Sequence, residues 1–522
     1  MCPPAPTSRS APPVAATAAR LGERLAGSGP QATPRAPFTL DAIACLPTAT
    51  PGDVALACER ARAAQCSWAA RDASERARVL GRVHDLLLDR RREAMDLLQW
   101  ETGKARAHAF EEVVDAAGVC RHYARRAPKL LAPRRLPGAL PLLTTVRELR
   151  HPKGVVAVIT PWNYPLSLSV TDVVPALLAG NAVVHKPDTQ TACTALWARA
   201  VCAEAGLPEQ LWQIVVGEPA DVGPALVAGA DHLAFTGSTA AGRVLGRMAA
   251  DRIIGSMLEL GGKNALVVLA DADVERAAAG AVRACFTSAG QLCMAAERIL
   301  VHAGVHDRFL DRFLDRVATL RLSAAFDFGA DMGSLTTHRQ LDRVTSHIGE
   351  ALDKGARLLS GGHARPDIGP LFHEPTVLAD VAPGTAVHDE ETFGPVVSVR
   401  PFHDDEEAVA LANDGPYGLN ASVWSRSPAR AAALAARLSA GTVNINEGFR
   451  TAYVSYAAPM GGRGHSGTGH RHGSGGLRQY TDRQVVARAR AELFDPRPGA
   501  DPERHTERLT ALRRTMTRLG LG

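Results

Sequence analysis

The feature that most constrains the fold of this chain is a series of short apolar runs that alternate with helical patterns. The runs lie at Gly154–Ile159, Val183–Val184, Gln213–Val216 and His232–Phe235. Successive runs begin about 20 to 30 residues apart, and the segments between them have helical periodicity. Strands that alternate with helices form parallel α/β sheets, whose ligands bind at the carboxyl ends of the strands. The sequence therefore predicts such a sheet over residues 154–235.

Further strand and helix signals extend this pattern in both directions. Residues 53–129 have a helical pattern, which the prolines of residues 133–141 interrupt. A second alternating block contains the apolar runs Ala265–Leu269, Val396–Arg400 and Gly441–Ile445. Leu142–Leu149 and Tyr480–Val486 are typical of exposed strands. A chain of 522 residues exceeds one hydrophobic core, so two or three domains are expected.

Charge and cysteine usage narrow the classes of partner. The formal net charge is only +5, and no Lys/Arg block of the kind that binds phosphates occurs, which argues against nucleic-acid binding. No apolar run approaches the ~18 residues of a membrane span. The nine cysteines are scattered singly without a C-x-x-C pair, which favours reduced thiols in a cytoplasmic protein over a disulfide framework or a zinc site.

Three biased segments are expected to lie outside the packed core. Residues 1–36 are rich in Ala, Pro, Ser and Thr and are predicted to be a disordered extension, and residues 491–522 form an Arg-rich tail. Gly461–Gly476 lacks the Gly-Lys-Ser/Thr ending of a phosphate-binding loop. Its histidines, His465, His470 and His472, have neither a cysteine nor a helical i, i+4 partner, so we predict a solvated loop without a metal.

The residues around one cysteine, Cys293, suggest that it is a catalytic nucleophile. Cys293 follows small residues, Ala289 and Gly290, which permit close backbone approach. Glu259 lies in an apolar run upstream, where a carboxylate either pairs or has a raised pKa. A thiol nucleophile with a carboxylate base is a pair used in covalent catalysis. For any single cysteine the alternative is buried packing, and packing is our interpretation of Cys285.

Seven stretches in this order resemble the aldehyde dehydrogenase superfamily: Thr160–Pro165, His185–Pro187, Phe235–Thr239, Glu259–Asn264, Gly290–Cys293, Glu391–Pro395 and Pro459–Gly462. Together they extend over about residues 40–490. Within the superfamily the chain is most similar to actinobacterial succinate-semialdehyde dehydrogenases of the NADP type, a likeness carried by Lys186–Gln190 and Ala289–Cys293.

The resemblance implies an α/β fold with two parallel-sheet domains and a β oligomerisation arm. The Rossmann-type cofactor domain would comprise residues 37–137 and 153–258, and the catalytic domain residues 259–460. The arm would comprise residues 138–152 and 478–490. The resemblance also implies a homodimer or homotetramer.

The resemblance further implies NAD(P)-dependent oxidation of an aldehyde to its carboxylic acid through a thiohemiacetal and a thioester on Cys293. Asn163 would stabilise the developing oxyanion together with the Cys293 backbone N–H, and Glu259 would activate the hydrolytic water. The cofactor, NADP or NAD, would contact Trp162, Asn163, Lys186, Thr189, Gly237, Ser238, Leu260, Glu391 and Phe393.

Two departures from the family pattern bear on specificity. Many NAD-preferring members have Glu at the position of Thr189, where it repels a 2′-phosphate, so we predict that this chain accepts NADP. Several succinate-semialdehyde enzymes have an Arg where this chain has Thr171 followed by Asp172. An Asp near the mouth of the site would repel a substrate carboxylate unless another cation, such as Arg283, compensates.

Three alternatives therefore stay open at this stage. The substrate is either a semialdehyde or a different, uncharged aldehyde. A cofactor-independent thiol esterase would use the same Cys293, and a non-catalytic oligomeric scaffold would use none of the site.

Overall fold

The computed structural model describes residues 13–139, 143–490, 495–496 and 498–520. Residues 1–12 of the predicted extension lie outside the described residues. The same holds for residues 140–142 of the predicted arm, where the expected strand at Leu142 would begin, and for residues 491–494, 497 and 521–522 of the tail.

The helices of the described part are α1 Pro13–Gly22, α2 Pro51–Ala69, α3 Ala73–Asp89, α4 Arg91–Thr102, α5 Arg106–Leu131, α6 Pro165–Leu178, α7 Ala192–Glu204, α8 Pro219–Gly229, α9 Thr239–Asp251, α10 Val274–Phe286, α11 His306–Ala318, α12 His338–Asp353, α13 Ala386–Asp389, α14 Asp405–Ala412, α15 Pro428–Ala435, α16 Arg450–Tyr453, α17 Gly473–Arg478 and α18 Pro502–Arg518.

The strands are β1 Gln31–Ala32, β2 Leu46–Pro47, β3 Arg134–Leu136, β4 Thr144–Pro152, β5 Val155–Thr160, β6 Ala182–Pro187, β7 Trp212–Ile214, β8 His232–Thr236, β9 Gly255–Glu259, β10 Asn264–Val268, β11 Ala296–His302, β12 Arg357–Ser360, β13 Thr376–Ala379, β14 Val396–Phe402, β15 Tyr417–Gly418, β16 Asn420–Trp424, β17 Thr442–Ile445, β18 Arg463–Gly464, β19 Gly467–Thr468 and β20 Thr481–Ala489.

The first large sheet has the strand order β19-β9-β8-β5-β6-β7. Neighbours from β9 to β7 are parallel, and β19 is antiparallel to β9. Every residue of β5 and β6 is buried, as expected for strands with helices on both faces of the sheet. The parallel sheet predicted from the apolar runs is confirmed.

The second large sheet has the order β12-β13-β14-β11-β10-β16-β17, parallel throughout except for the antiparallel pair β12–β13. It contains the predicted strands near residues 265, 396 and 441. A third sheet, β20-β4-β3, is antiparallel, and β4 pairs with β20 along its whole length. The predicted α/β fold with two mostly parallel sheets and a separate β arm is thereby confirmed.

The predicted disorder of residues 1–36 is wrong for the described residues 13–36. They include α1, which packs against α4 and α7. Val14, Ala18, Leu21 and Leu25 are buried there. This spacing of three or four residues gives α1 an apolar face, and burying that face outweighs a composition that is otherwise typical of disorder.

The described residues contain neither a membrane-spanning helix nor a cluster of metal ligands. None of the helices found there is both long and apolar enough to cross a membrane. No group of three or more His, Cys, Asp or Glu side chains in the same ranges could hold a metal ion.

Candidate active site

The loop before Cys293 has an unusual backbone. Ser288, Ala289 and Gly290 have φ values of 52°, 55° and 71°, in the left-handed region that favours glycine. A Cβ on Gly290 would lie 2.0 Å from the carbonyl oxygen of Gly394. The loop can approach the 391–395 segment only because position 290 has no side chain, which confirms the close approach predicted there.

Cys293 itself is partly exposed, whereas Cys285 is buried. The Cys293 carbonyl accepts a hydrogen bond of 2.7 Å from the side-chain amide of Asn264. Burial raises the pKa of the Cys293 thiol to about 12, with further contributions from the carboxylates of Glu391 and Glu259. The thiol is therefore protonated at neutral pH, and nucleophilic attack needs a base.

Glu259 ends β9 and is buried. Burial raises the pKa of this carboxyl group to about 8, in the direction predicted from its apolar neighbours. Its Oε1 has no hydrogen-bond partner among the described residues. A Cβ on Gly461 would lie 2.9 Å from Oε1, so the carboxyl group packs against the backbone at a position that has no side chain. A buried carboxyl group with this pKa can exchange a proton near neutral pH.

Asn163 is buried and follows β5, and its side-chain amide donates a hydrogen bond of 3.0 Å to the carbonyl oxygen of Gln291. This bond connects Asn163 to the cysteine loop. An amide NH2 group carries two hydrogens, so one remains for a substrate oxygen.

A buried ion pair that sequence reasoning missed, Lys104–Glu112, contacts the backbone of Asn163. The ammonium group of Lys104 pairs with Glu112 and donates a hydrogen bond of 2.6 Å to the Asn163 carbonyl. Glu112 also accepts the backbone N–H groups of Leu166 and Ser167 at 3.0 and 3.2 Å, in the first turn of α6. A carboxylate there satisfies free N–H groups and complements the helix dipole. No sequence pattern that we used links residues 104, 112 and 163.

A second set of contacts fixes the cysteine loop from α5. Burial lowers the pKa of His108 to about 3, so its imidazole is neutral, and its Nδ1 accepts the Ser288 N–H at 3.1 Å. The hydroxyl groups of Tyr164 and Ser288 lie 3.0 Å apart. These contacts hold the left-handed residues in place. Tyr164 belongs to the Thr160–Pro165 stretch and could have been singled out from it.

Most of the predicted cofactor residues lie at one edge of the first sheet because they are at or just after the carboxyl ends of its parallel strands, whereas Glu391 and Phe393 come from the segment before β14 of the second sheet. Ser238 caps α9, its hydroxyl group accepting the N–H of Ala241 at 3.3 Å. A Cβ on Gly237 would lie 2.6 Å from the Phe235 ring, and one on Gly242 would lie 2.4 Å from Leu260. This close-packed turn at a helix N-terminus fits a pyrophosphate group.

The residues predicted to hold the nicotinamide end of the cofactor are Trp162, Leu260, Glu391 and Phe393, and contacts connect their three segments. The Glu391 carboxylate accepts the Gly262 N–H at 2.8 Å, and a Cβ on Gly261 would lie 2.4 Å from it. The rings of Trp162 and Phe393 meet edge to face, with centroids 5.6 Å apart. Phe393 has a φ of 57°, and its N–H donates to Glu297 at 2.8 Å. A glycine-lined cradle beside a carboxylate and two aromatic rings fits a nicotinamide riboside.

The adenosine end has Lys186 at the end of β6 and Thr189 in a short 3₁₀ turn. Burial lowers the pKa of Lys186, while Asp188 and Glu218 favour its charged form. The Asp188 carboxylate accepts the Gln190 N–H at 2.9 Å, which partly satisfies its charge. A lysine and a hydroxyl group at this strand end fit a phosphorylated ribose.

Asp172 and the glycine-rich stretch depart from the predictions. Asp172 is completely buried and forms two hydrogen bonds, of 2.9 and 2.7 Å, with the guanidinium of Arg471. Its charge is therefore compensated, and it does not lie exposed at the mouth of the site. Arg283, the cation that we considered, is exposed at the end of α10.

The prediction of a solvated loop over Gly461–Gly476 is also wrong. Ser466, Arg471 and His472 are buried, and β19 adds an edge strand beside Glu259, with Gly467 opposite it. A Cβ on Gly467 would lie 1.9 Å from the Leu258 carbonyl oxygen. The glycines here serve close packing against β9.

Comparisons with known proteins agree with this geometry. The profile of the aldehyde dehydrogenase family matches residues 26–486. The chain belongs to the aldehyde dehydrogenase family. It therefore carries out NAD(P)-dependent oxidation of an aldehyde, and neither the esterase nor the scaffold alternative is favoured.

Two curated relatives of this aldehyde dehydrogenase illustrate the likeness. A Mycolicibacterium smegmatis protein with the provisional name succinate-semialdehyde dehydrogenase [NADP(+)] is 48% identical over 482 residues, covering 92% of this chain and 93% of the relative. A succinate semialdehyde dehydrogenase of Acinetobacter baylyi is 34% identical over 449 residues, covering 85% and 92%.

Solved structures share the fold. The betaine aldehyde dehydrogenase of Staphylococcus aureus in complex with NAD+ has a TM-score of 0.87 and 30% identity, covering 92% of this chain and 99% of that one. An NADP-dependent enzyme of E. coli has a TM-score of 0.84 and 32% identity, covering 88% and 95%.

Arg450 is a cation of this aldehyde dehydrogenase whose neighbours in the chain pack in the apolar cluster that Cys293 contacts. Phe449 and Tyr453 pack in the same apolar cluster as Cys293, and Arg450 begins α16 between them. Its Nη2 donates a hydrogen bond of 2.6 Å to Glu111, and its buried Nε has no partner among the described residues. Sequence reasoning missed Arg450 because nothing in its neighbourhood is a motif.

Proposed function

We propose that this aldehyde dehydrogenase oxidises succinate semialdehyde to succinate with NADP, using Cys293 as nucleophile, Glu259 as base and Asn163 as oxyanion donor. The observation that carries the proposal is the convergence of these three groups. Cys293 is partly exposed, Glu259 has a buried oxygen without a hydrogen-bond partner among the described residues, and Asn163 is hydrogen-bonded to the loop of Cys293.

In this mechanism the Cys293 sulfur bonds to the aldehyde carbon while the thiol proton passes to solvent water, which reaches the partly exposed cysteine. The carbonyl oxygen takes up negative charge and is stabilised by Asn163, a donor of the kind worth roughly 2.7–4 kcal/mol. When bound, the nicotinamide cofactor supplies the hydride acceptor. Loss of hydride from the thiohemiacetal leaves a thioester on Cys293.

The remaining step is hydrolysis of that thioester. Glu259 takes a proton from a water molecule, whose oxygen bonds to the acyl carbon. The bond between sulfur and carbon breaks, the sulfur takes the proton from Glu259 so that both the thiol and the carboxylate base are restored, and the carboxylic acid leaves. A base with a pKa of about 8 is suited to this step because it exchanges protons near neutral pH.

The curated relatives are named for succinate semialdehyde, and Arg450 offers a positive charge for the carboxylate of that substrate. A semialdehyde presents a carboxylate at the end opposite its aldehyde. Arg450 has a fork of five donors; its Nη2 forms an ion pair with Glu111, a carboxyl group whose pKa burial raises, and its Nε has no partner among the described residues. Because Arg471 compensates the negative charge of Asp172, Asp172 does not repel a substrate carboxylate. Arg450 then takes the role of the Arg that several succinate-semialdehyde enzymes have where this chain has Thr171.

Thr189 and Lys186 support the choice of NADP. No carboxylate at position 189 repels a 2′-phosphate, and Lys186 offers it a positive charge. We expect a Thr189→Glu variant to lose at least about tenfold in kcat/KM with NADP while keeping activity with NAD, since a like charge across a contact costs a kcal/mol or more. Equal or better kcat/KM of the natural chain with NAD would contradict the NADP proposal.

We also infer the assembly and compartment. The cofactor domain would comprise residues 37–137 and 153–258, and the catalytic domain residues 259–460. Val485 and Val486 are exposed on β20, whose outer edge is unpaired within the described residues. An apolar edge strand is suited to pairing with a second copy, which supports a homodimer or homotetramer. The cytoplasmic location is inferred from the sequence, whose scattered cysteines include no C-x-x-C pair.

The substrate test compares succinate semialdehyde with butanal, each with NADP and with NAD, in the natural chain, Arg450→Gln and Cys293→Ala. A charged hydrogen bond of about 1.5–3 kcal/mol predicts a roughly 10- to 100-fold loss of kcat/KM for the semialdehyde in Arg450→Gln. Butanal turnover should change little, and Cys293→Ala should be inactive with both. Turnover of butanal alone would keep the mechanism and reject the semialdehyde.

A further inference from the structure

The buried pair Asp172–Arg471 lies beside Glu259 and has no role in the steps above. Asp172 comes from α6 and Arg471 from the glycine-rich stretch. Both side chains are at least 97% buried, and their contact is bidentate, with bonds of 2.9 and 2.7 Å. Burying two charges is costly, and a well-packed apolar pair of similar size is often as stable, so stability alone gives no reason for this pair.

The position of Arg471 relative to Glu259 follows from three contacts. Its Nη2 donates a hydrogen bond to the Thr236 hydroxyl group, and Thr236 is the residue on β8 that pairs with Glu259 on β9. The Arg471 backbone forms a bridge with Met460, one residue before Gly461, which packs against Glu259 Oε1. Arg471 is thus tied to two segments that adjoin Glu259, the end of β8 and residues 460–461.

We propose that Asp172 and Arg471 are positioning residues for the base, with Asp172 fixing the guanidinium so that its positive charge faces Glu259. This inference rests on the proposed role of Glu259 in thioester hydrolysis.

The electrostatics support this orientation. Arg471 lowers the pKa of Glu259 and so acts against the larger effect of burial, whereas Asp172 raises it, in the same direction as burial but less strongly than Arg471 lowers it. Arg471 also lowers the pKa of Cys293, on which Glu391 and Glu259 act in the opposite direction. The pair is therefore a dipole with its positive end toward the reacting groups, and it limits the rise that burial causes in the pKa of Glu259.

The test measures thioester hydrolysis as a function of pH in two variants that change this dipole in opposite ways. Asp172→Asn removes the negative end and leaves Arg471 charged, so the midpoint of the pH profile should fall, by roughly one pH unit. Asp172→Asn combined with Arg471→Gln removes both charges, so the midpoint should rise above that of the natural chain. Asp405→Asn, which breaks the bidentate surface pair with Arg430, should leave the midpoint unchanged.

The double variant also keeps the test decisive if the Asp172→Asn protein does not fold. Asp172→Asn alone leaves a buried uncompensated charge and can unfold the chain, whereas a neutral pair is tolerated far better. Opposite shifts of the midpoint support the proposal. An unshifted midpoint in the double variant, with only a lower melting temperature, would show a purely structural pair and overturn it.

A further variant, Glu259→Gln, distinguishes a failure of the proposed function from a failure of this inference. Glu259→Gln should abolish hydrolysis while a burst of reduced cofactor remains. If Glu259→Gln hydrolyses the thioester at the natural rate, the role of Glu259 is wrong, whatever the pair variants do.

Discussion

The Gly290→Ala substitution probes how tightly the fold holds its nucleophile. The new Cβ would lie 2.0 Å from the Gly394 carbonyl oxygen, whereas real Cβ atoms essentially never come closer than 3.0 Å to such an atom. The cysteine loop or the 391–395 segment must therefore move by about 1 Å. The φ of 71° adds a cost of roughly 1–2 kcal/mol for a residue with a side chain.

These two effects give separate expectations. A misplacement of ~1 Å at a reacting group can cost ~100-fold in rate, so kcat should fall by about that factor. The free energy of unfolding should fall by at least about 1 kcal/mol. Cofactor reduction under saturating substrate measures the first, and chemical denaturation of the purified chain measures the second.

Gly349→Ala is a matched control for this substitution. Gly349 lies within α12, and a Cβ there would meet nothing within 4 Å. Alanine in a helix is more favourable than glycine by roughly 1 kcal/mol, so this variant should be fully active and slightly more stable. A Gly290→Ala enzyme with natural kcat and stability would refute the tight approach of residues 290 and 394.

Other consequences of the same structure can be checked in parallel. Because hydrolysis needs the deprotonated form of Glu259, its rate should rise with pH and level off above about 8, as measured in single turnovers; a rate that is flat from pH 6 to pH 9 would contradict this role. Lys104→Met should lower the free energy of unfolding by about 3–5 kcal/mol in denaturation experiments, because it leaves the buried carboxyl group of Glu112 without its cation. Lys354→Met, which breaks an exposed pair with Glu350, should cost less than about 1 kcal/mol, and equal losses in the two variants would show that the Lys104 pair has no special weight.

The parts of this fold that were predictable from the sequence are those with local signals. The apolar runs at residues 154–159 and 232–235 indicate β5 and β8, since a strand buried on both faces needs a continuous apolar stretch. Cys293, Glu259 and Asn163 could be proposed as site residues because they lie in recognisable motifs. Parallel strands then bring the ends of those motifs together.

The parts that were missed depend on distant or ambiguous signals. Arg471 and Asp172 are 299 positions apart, and no local pattern connects an arginine in a glycine-rich stretch to an aspartate in a helix. Glycine itself is ambiguous, because the same residue permits a mobile loop or, as at Gly467, close backbone packing. In α1 the composition suggested disorder, while the spacing of Val14, Ala18 and Leu21 indicated a helix.

The most direct test of the central claim is to trap the thioester. Glu259→Gln enzyme is mixed with NADP and succinate semialdehyde, and intact-protein mass spectrometry is combined with the yield of NADPH. The account predicts one NADPH per active site, little further turnover, and a succinyl adduct on Cys293 that is absent from a variant also carrying Cys293→Ala. Steady turnover without an adduct, or an adduct that persists without Cys293, would contradict it.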